Sequence, residues 1–194
     1  RTVSSAASDV YKRQVIFMPA GPMSSGLPNE EKANVRKAFA KGEVSREELI
    51  KAESKAYHGE GTCTFYGTAN SNQIIMEIMG VHIPGAAFVH PNSDLRHAYN
   101  VLAVEQAVKI NSKGRDVRPI GKIIDERSFV NAIIGLLATG GSTNHTLHLP
   151  AMAAASGIKL LWEDFDDLSK IIPLLSKVYP CLLYTSPSPR DSLE

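Results

Sequence analysis

The 194-residue sequence has few cysteines and almost no net charge. Two cysteines in a chain of this length do not make a disulfide framework, which favours a reducing compartment, and we expect a cytoplasmic protein. A formal net charge of +1 gives no reason to expect nucleic acid or an anionic membrane as a partner. The sequence therefore predicts neither kind of partner.

Long apolar runs are also absent. No stretch of about 18 apolar residues occurs, so the sequence predicts no membrane-spanning helix. The N-terminus has no apolar core of the signal-peptide type. What is present, 43% hydrophobic and 21% charged residues, is typical of a globular domain that can bury a sizeable core.

The two ends of the chain differ from the sequence between them. Residues 1–14 (RTVSSAASDVYKRQ) and 181–194 (CLLYTSPSPRDSLE) are rich in Ser, lack a sustained period and border well-patterned sequence abruptly. They resemble translated adapter sequence, and the alternative is an ordinary disordered terminus. We predict that both are non-native tails and that residues 15–180 carry the fold. Cys63 is then the one native cysteine.

Helical patterns outnumber strand patterns between these tails. Residues 15–19 and 158–162 are short strand candidates. Proline at position 150 leaves one helix boundary open, because proline costs about 3 kcal/mol in a helix interior. Helices are predicted at Glu31 to Lys41, Ser45 to about Tyr57, a segment ending at Gly80, Ser93 to about Ile110, Asp125 to the ATGGSTNH break, a segment ending at Gly157, and from near Asp164. The fold class is α/β, helix-rich with a few short strands.

Cys63 lies in a loop rich in Gly and Thr, a few residues before a predicted helix that Thr68 could cap. Backbone N–H groups and the positive end of the helix dipole would favour a thiolate there. A thiolate can be a nucleophile or a soft metal ligand, but a lone cysteine is also commonly a small buried hydrophobe. The position of Cys63 alone leaves both interpretations open. One cysteine cannot hold an iron–sulfur cluster by itself, because such clusters need several protein ligands.

A second candidate site is the run GGSTNH at residues 140–145, between two helical patterns. Successive glycines free the backbone to form an anion-binding nest, and the following helix N-terminus adds free N–H donors. In the alternative, Ser142 and Thr143 are plain N-caps between two packed helices. No G-K-[ST] follows the glycines, which excludes a Walker loop.

The six histidines form no metal motif, because neither H-E-x-x-H nor a Cys/His pair at zinc spacing occurs. His145 and His148 lie three apart on one helix face, an arrangement typical of packing or capping. His58 and Glu60, near Cys63, are either groups around a site or ordinary loop residues. Metal binding therefore depends on Cys63.

Three stretches form long, ordered motifs: PAGPMSSGLPNEEK, GTCTFYGTANSNQ with the following GVHIPGAAFVHP, and LLATGGSTNHTLHL ending in DFDDLS. Together they resemble the dihydroxy-acid dehydratase and phosphogluconate dehydratase family, with few breaks from about Val15 to Pro180. TFYG after Cys63 and His145 after GGSTN are typical of the phosphogluconate branch. The dihydroxy-acid branch typically has GGMY and a small residue at these places.

The resemblance implies part of the family's N-terminal α/β domain. It implies dehydration of a sugar-acid phosphate, 6-phospho-D-gluconate, to 2-dehydro-3-deoxy-6-phospho-D-gluconate in the Entner–Doudoroff pathway. It also implies a [4Fe-4S] cluster, for which Cys63 matches a family ligand and one iron is a Lewis acid on the leaving hydroxyl. Ser142, Thr143 and Asn144 are expected to bind substrate, while the catalytic base is not identified.

The family's Cys-Asp-Lys motif, with a further cluster ligand and magnesium-site residues, is expected upstream of Val15 and is missing, as is the C-terminal domain. We therefore expect an inactive internal fragment of an enzyme that at full length is a homodimer and uses Mg²⁺ beside the cluster. Two alternatives stay open. One is a related dehydratase of dihydroxy acids or unphosphorylated sugar acids, and the other is a non-catalytic α/β binding module.

Overall fold

The computed structural model describes residues 13–56, 59–64, 66–111 and 113–175. Within these ranges no helix is both long enough and apolar enough to cross a bilayer. The described helices, in chain order, are α1 (Asn29–Ala40), α2 (Arg46–Ala56), α3 (Thr68–Ile78), α4 (Asp94–Ile110), α5 (Ile120–Ile123), α6 (Glu126–Thr139), α7 (His145–Ala155) and α8 (Trp162–Ser169).

The β structure of the described residues consists of two isolated parallel bridges, Phe17 with His82 and Pro22 with Thr62. The prediction of a helix-rich α/β domain is therefore confirmed, with less strand than expected. Residues 15–19 contribute one bridge in place of a strand. Of the predicted tails, Arg13 and Gln14 are described and the other tail residues, with Cys181, lie outside the described ranges.

The strand predicted at residues 158–162 is wrong. Gly157 takes a left-handed backbone (φ 74°), Ile158 N–H donates to the Ala153 carbonyl at 2.8 Å, and Trp162 already begins α8. Ile158 and Leu160 pack against the core from an irregular link. A short apolar run does not distinguish a strand from a buried connection.

Caps define several helix ends as the sequence predicts. Ser45 N–H donates to the Glu48 carboxylate at 2.7 Å and Glu48 N–H donates to Ser45 Oγ at 3.2 Å, which is the expected capping box before α2. Asp125 forms a second box with Ser128 at the start of α6. Ser93 accepts the Arg96 N–H at the start of α4, so these three predicted starts are confirmed.

The main core lies where α3 packs against α6, and α7 and α8 also pack against α6. A Cβ on Gly135 of α6 would lie 2.5 Å from Cδ1 of Ile78 on α3, so the small residue allows the two helices to approach. The side chains buried in this core include Ile75, Phe129, Ile133, Leu149 and Phe165. Burial of each is worth about 1.5–3 kcal/mol.

Pro150 lies inside α7, which answers the boundary question left by the sequence. Proline has no N–H, so the carbonyl of Thr146, four residues earlier, loses its helical donor. The indole N–H of Trp162 donates to that carbonyl at 3.1 Å. Trp162 is otherwise largely exposed, and this hydrogen bond from the start of α8 replaces the one that Pro150 removes.

Helix α4 has the predicted bounds but buries a different face. The sequence predicts a broad apolar face formed by Ala98, Val101, Leu102, Val104 and Val108. The buried residues are instead Arg96, Ala103 and Ile110, and Val104 and Val108 are 65% and 60% exposed. Large aliphatic side chains therefore occur all round this helix, a pattern typical of helices inside larger proteins.

Candidate functional site

Cys63 lies in a segment that pairs with the loop around Gly21. Thr62 N–H donates to the Gly21 carbonyl at 2.8 Å, and Met23 N–H donates to the Thr62 carbonyl at 2.9 Å. Cys63 follows directly, four residues before the N-cap Gly67 of α3. Its side chain is half-buried and forms no disulfide. Helix α3 begins at Thr68 itself, so Thr68 is not the cap that the sequence suggested.

Two buried amides on α3 hold the Cys63 segment in place. Asn70 Nδ2 donates to the Cys63 carbonyl at 2.6 Å, and Asn70 Oδ1 accepts from Thr62 Oγ1 and Gln73 Nε2. Gln73 Oε1 accepts the Gly21 N–H at 2.8 Å. Asn70 and Gln73 are 3% and 6% exposed, so water does not compete for these hydrogen bonds. The pair fixes both loops on the first two turns of α3.

Sequence reasoning missed Asn70 and Gln73. Their signal was present, because two amides three residues apart lie on one helix face, in this case among the apolar residues of a buried helix. Buried amides require partners, and the loop segments on either side supply backbone ones. A buried pair of amides three residues apart on a helix therefore indicates residues that hold neighbouring loops.

Glycine is required where the two loops meet. A Cβ on Gly61 (φ +114°) would lie 2.7 Å from the Gly21 carbonyl oxygen. A Cβ on Gly21 (φ +78°) would lie 1.7 Å from the Val89 carbonyl oxygen. Both positions combine a left-handed backbone with a close backbone approach, so side chains are excluded at both for two reasons.

Gly21→Ala should lower the free energy of unfolding much more than Gly42→Ala. Both glycines have nearly the same positive φ, which costs about 1 kcal/mol with a side chain, but nothing lies within 4 Å of a Cβ on Gly42. At Gly21 the Val89 backbone must move, and we expect a total loss of roughly 3 kcal/mol. Denaturant unfolding of both variants measures the difference. Equal losses would contradict the close approach of residues 21 and 89.

The two glycines of GGSTNH end α6 and do not form an anion-binding nest. Gly140 takes the left-handed cap conformation (φ 60°). Its N–H donates to the Leu137 carbonyl at 3.3 Å, and the Gly141 N–H donates to the Leu136 carbonyl at 2.9 Å. Both donors are therefore engaged in closing the helix. A ligand at this turn would have to be bound by side chains.

The hydroxyl and amide side chains after these glycines face the first turn of α3. Ser142 Oγ lies 2.9 Å from Thr68 Oγ1, and Asn144 Nδ2 donates to Thr68 Oγ1 at 2.7 Å. Asn144, the N-cap of α7, makes no side-chain cap hydrogen bond, and Ser142 Oγ accepts the Asn144 N–H at 3.3 Å. Ser142 therefore combines a local hydrogen bond to the backbone before α7 with a contact to α3. Thr143 is exposed.

The structure brings both sequence-predicted segments to the same end of α3. Asn70 holds Cys63 on one side, and Thr68 holds Ser142 and Asn144 on the other. Tyr66, between them, donates its hydroxyl hydrogen to Thr139 Oγ1 at 2.7 Å. The Cys63 segment, the short side chains of Ser142 and Asn144 and the positive end of a helix dipole thus lie at one helix start, a setting that favours anions.

Two buried histidines lie close to this region. Burial lowers the pKa of His145, and His148 nearby adds to the lowering. Burial likewise lowers the pKa of His82, with Glu77 opposing and Arg96 adding to the shift. Both side chains are therefore neutral near pH 7.

The chain should lose stability as the pH falls below about 6.5, the ordinary histidine pKa. Below that value the unfolded chain protonates at His82 and His145 before the folded chain does, so protons favour unfolding. Each histidine contributes a slope of up to about 1.4 kcal/mol per pH unit. Denaturant unfolding between pH 7.5 and 5.5 measures this, and His145→Gln should reduce the slope. Unchanged stability across this range would contradict the burial of neutral histidines.

Cys63 can supply a single ligand to a metal group. Within the described part of the chain, no group of three or more His, Cys, Asp or Glu residues could hold a metal ion. His58 lies outside the described residues, and Glu60 is exposed. A half-buried thiol on a backbone that Asn70 holds therefore fits one ligand position of a cluster that needs several protein ligands.

Comparison with known proteins finds one family over most of the chain. The family model "Dihydroxy-acid/6-phosphogluconate dehydratase N-terminal" matches residues 4–186. Phosphogluconate dehydratases of Rhizobium meliloti and Zymomonas mobilis are 60% and 54% identical over 165 residues, 85% of this chain and 27% of each relative. A dihydroxy-acid dehydratase of Hydrogenobaculum is 32% identical over 174 residues, 85% of this chain and 30% of that protein. The chain spans about a quarter of the length of these relatives.

Proposed function

The chain belongs to the dihydroxy-acid/6-phosphogluconate dehydratase family, and we propose that the full-length protein converts 6-phospho-D-gluconate to 2-dehydro-3-deoxy-6-phospho-D-gluconate. The observation that carries the proposal is that the first turn of α3 holds both segments, Cys63 through Asn70 and the Ser142–Asn144 turn through Thr68. Identity of 60% to a phosphogluconate dehydratase against 32% to a dihydroxy-acid dehydratase favours the phosphorylated substrate.

The proposed product defines what the site must do. A hydroxyl leaves C3 and a hydrogen leaves C2, after which the enol becomes the 2-keto acid. Hydroxide is a poor leaving group unless a metal takes it, and a bound [4Fe-4S] cluster would supply that Lewis acid. Cys63 would hold one iron of the cluster as a thiolate. Asn70 donates to the Cys63 carbonyl at 2.6 Å and would hold the backbone that carries this ligand.

Ser142, Thr143 and Asn144 would bind the oxygen atoms of the anionic substrate. Ser142 Oγ already accepts the Asn144 N–H. If Thr68 donates across their 2.9 Å contact, both lone pairs of Ser142 Oγ are filled. Its own hydrogen is then free to donate to a ligand. One amide hydrogen of Asn144 bonds Thr68, and the other can reach a ligand on the exposed side.

The full-length protein is further proposed to be a cytoplasmic homodimer that also uses Mg²⁺, in the Entner–Doudoroff pathway. The fragment described here is proposed to be inactive, because one cysteine cannot hold a cluster. A related dehydratase of dihydroxy acids or unphosphorylated sugar acids is the second candidate, which the 32% identical dihydroxy-acid dehydratase supports.

Two measurements on the full-length protein test the proposal. Absorbance near 400 nm after anaerobic reconstitution separates a cluster enzyme from a binding module with a structural Cys63. The kcat/KM values for 6-phosphogluconate, gluconate and a branched dihydroxy acid separate the dehydratases. We expect an absorbance band and a preference of at least about tenfold for 6-phosphogluconate, the scale of one charge-assisted contact. No band, or a preference for an unphosphorylated acid, would contradict the proposal.

A further inference from the structure

We propose that His145 is a positioning residue that, as the neutral Nε2–H tautomer, locks the turn of Ser142 and Asn144 onto α3. The proposal rests on the proposed function for the role of that turn. The side-chain hydroxyl of Ser71 on α3 contacts the turn of Ser142 and Asn144. Ser71 and His145 are 0% and 1% exposed, so protein groups alone can satisfy them.

Ser71 Oγ has two close polar neighbours from the GGSTNH turn and one from its own helix turn. The Ser142 N–H donates to it at 3.2 Å. His145 Nε2 lies 2.9 Å away, and the Gly67 carbonyl oxygen lies 2.8 Å away. A hydroxyl offers one hydrogen and two lone pairs. The Gly67 carbonyl already accepts the Ser71 N–H at 3.0 Å and can only accept. Its 2.8 Å contact with Ser71 Oγ is therefore favourable only if the hydroxyl hydrogen lies between the two oxygen atoms.

This count assigns the tautomer of His145. With the Ser71 hydrogen given to Gly67, both lone pairs of Ser71 Oγ must accept, one from the Ser142 N–H and one from His145 Nε2–H. If His145 instead carried its proton on Nδ1, its Nε2 atom would be an acceptor. Nε2 and the Gly67 carbonyl oxygen would then compete for the single hydroxyl hydrogen of Ser71. One contact below 3 Å would then join two lone pairs. Burial, which lowers the pKa of His145, agrees with a neutral ring.

His145 therefore affects the position of the turn that is proposed to bind substrate. The His145 ring orients Ser71, and Ser71 holds the backbone of Ser142, whose side chain contacts Thr68 beside Asn144. His145 itself is fully buried, so it does not touch a ligand. It therefore acts through Ser71, by fixing where the donors of Ser142 and Asn144 point.

Two substitutions of His145 in the full-length, reconstituted enzyme test this role. His145→Leu removes the donor, whereas His145→Gln keeps an amide donor at nearly the place of Nε2. We expect His145→Leu to raise the KM for 6-phosphogluconate about tenfold, the scale of one lost buried hydrogen bond, with kcat changed less than about twofold. Amide exchange at Ser142 should speed up by a similar factor. His145→Gln should restore both, and the exposed His97→Leu should change neither.

Ser71→Ala gives an independent check if His145→Leu does not fold, and it should reproduce the raised KM and the faster exchange. Lower thermal stability with unchanged KM and exchange in either variant would overturn the proposal. So would a Gln variant as impaired as the Leu variant. An inactive wild type would contradict the proposed function alone, because the exchange at Ser142 still tests the tie to His145.

Discussion

Cys63→Ser in the full-length enzyme should abolish dehydratase activity and lower bound iron, while the protein stays folded. A serine hydroxyl is a poor ligand for iron in a sulfur-rich cluster, because thiolates are the ligands that such clusters prefer. The fold should survive, since Cys63 is only half-buried and its backbone is held through the carbonyl to Asn70. Iron content, absorbance near 400 nm and turnover measure the effect.

Thr64→Ala is the matched control for Cys63→Ser, because Thr64 is the exposed next residue of the same segment. It should keep iron and activity close to the wild-type values. Wild-type iron content and turnover in Cys63→Ser would show that the thiol is structural. A loss of the folded state in Cys63→Ser would equally contradict the account, since the hydrogen bonds of Asn70 do not involve the sulfur atom.

Ser142→Ala and Asn144→Ala should each lower kcat/KM for 6-phosphogluconate by about ten- to a hundredfold. A charge-assisted hydrogen bond is worth roughly 1.5–3 kcal/mol, and each variant removes one donor to the anionic substrate. The cluster absorbance should stay normal, because neither side chain contacts the Cys63 segment in the described structure. Kinetics and unfolding are measured on the same preparations.

Ser156→Ala provides the control for a lost serine hydroxyl at the opposite end of α7. Ser156 Oγ donates to the Met152 carbonyl at the far end of α7, so its removal should cost at most about 1 kcal/mol of stability and leave kcat/KM unchanged. The same pattern in Ser142→Ala, a loss of stability with unchanged kinetics, would contradict a role in substrate binding.

Most helices of the fold could be predicted from local sequence. Capping residues act within three or four positions, so Ser45, Ser93 and Asp125 could be recognised without knowledge of the fold. The strand at 158–162 could not be judged this way, because an apolar run of five residues satisfies several structures. For α4 the predicted buried face was wrong, because apolar residues occur all round the helix and their spacing does not single out one side. The structure buries Ala103 and Ile110.

The site could be predicted only in part, because its contacts join distant positions. Cys63 and Ser142 could be singled out locally, but the contact of Ser142 with Thr68 spans 74 residues. The Gly140–Gly141 pair suggested a nest, yet the carbonyls at the end of α6 take both N–H groups. The family resemblance assigned both motifs to one site. That α3 contacts both of them, through Asn70 and Thr68, could be learned only from the structure.

The product of the reaction tests the central claim most directly. Full-length protein, reconstituted anaerobically, is incubated with 6-phosphogluconate in D₂O, and the products are followed by NMR. The account predicts a 2-keto acid phosphate whose C3 has lost its hydroxyl and gained one solvent deuterium. Unchanged 6-phosphogluconate in the presence of protein that holds its iron–sulfur absorbance, with turnover of a dihydroxy acid instead, would contradict it.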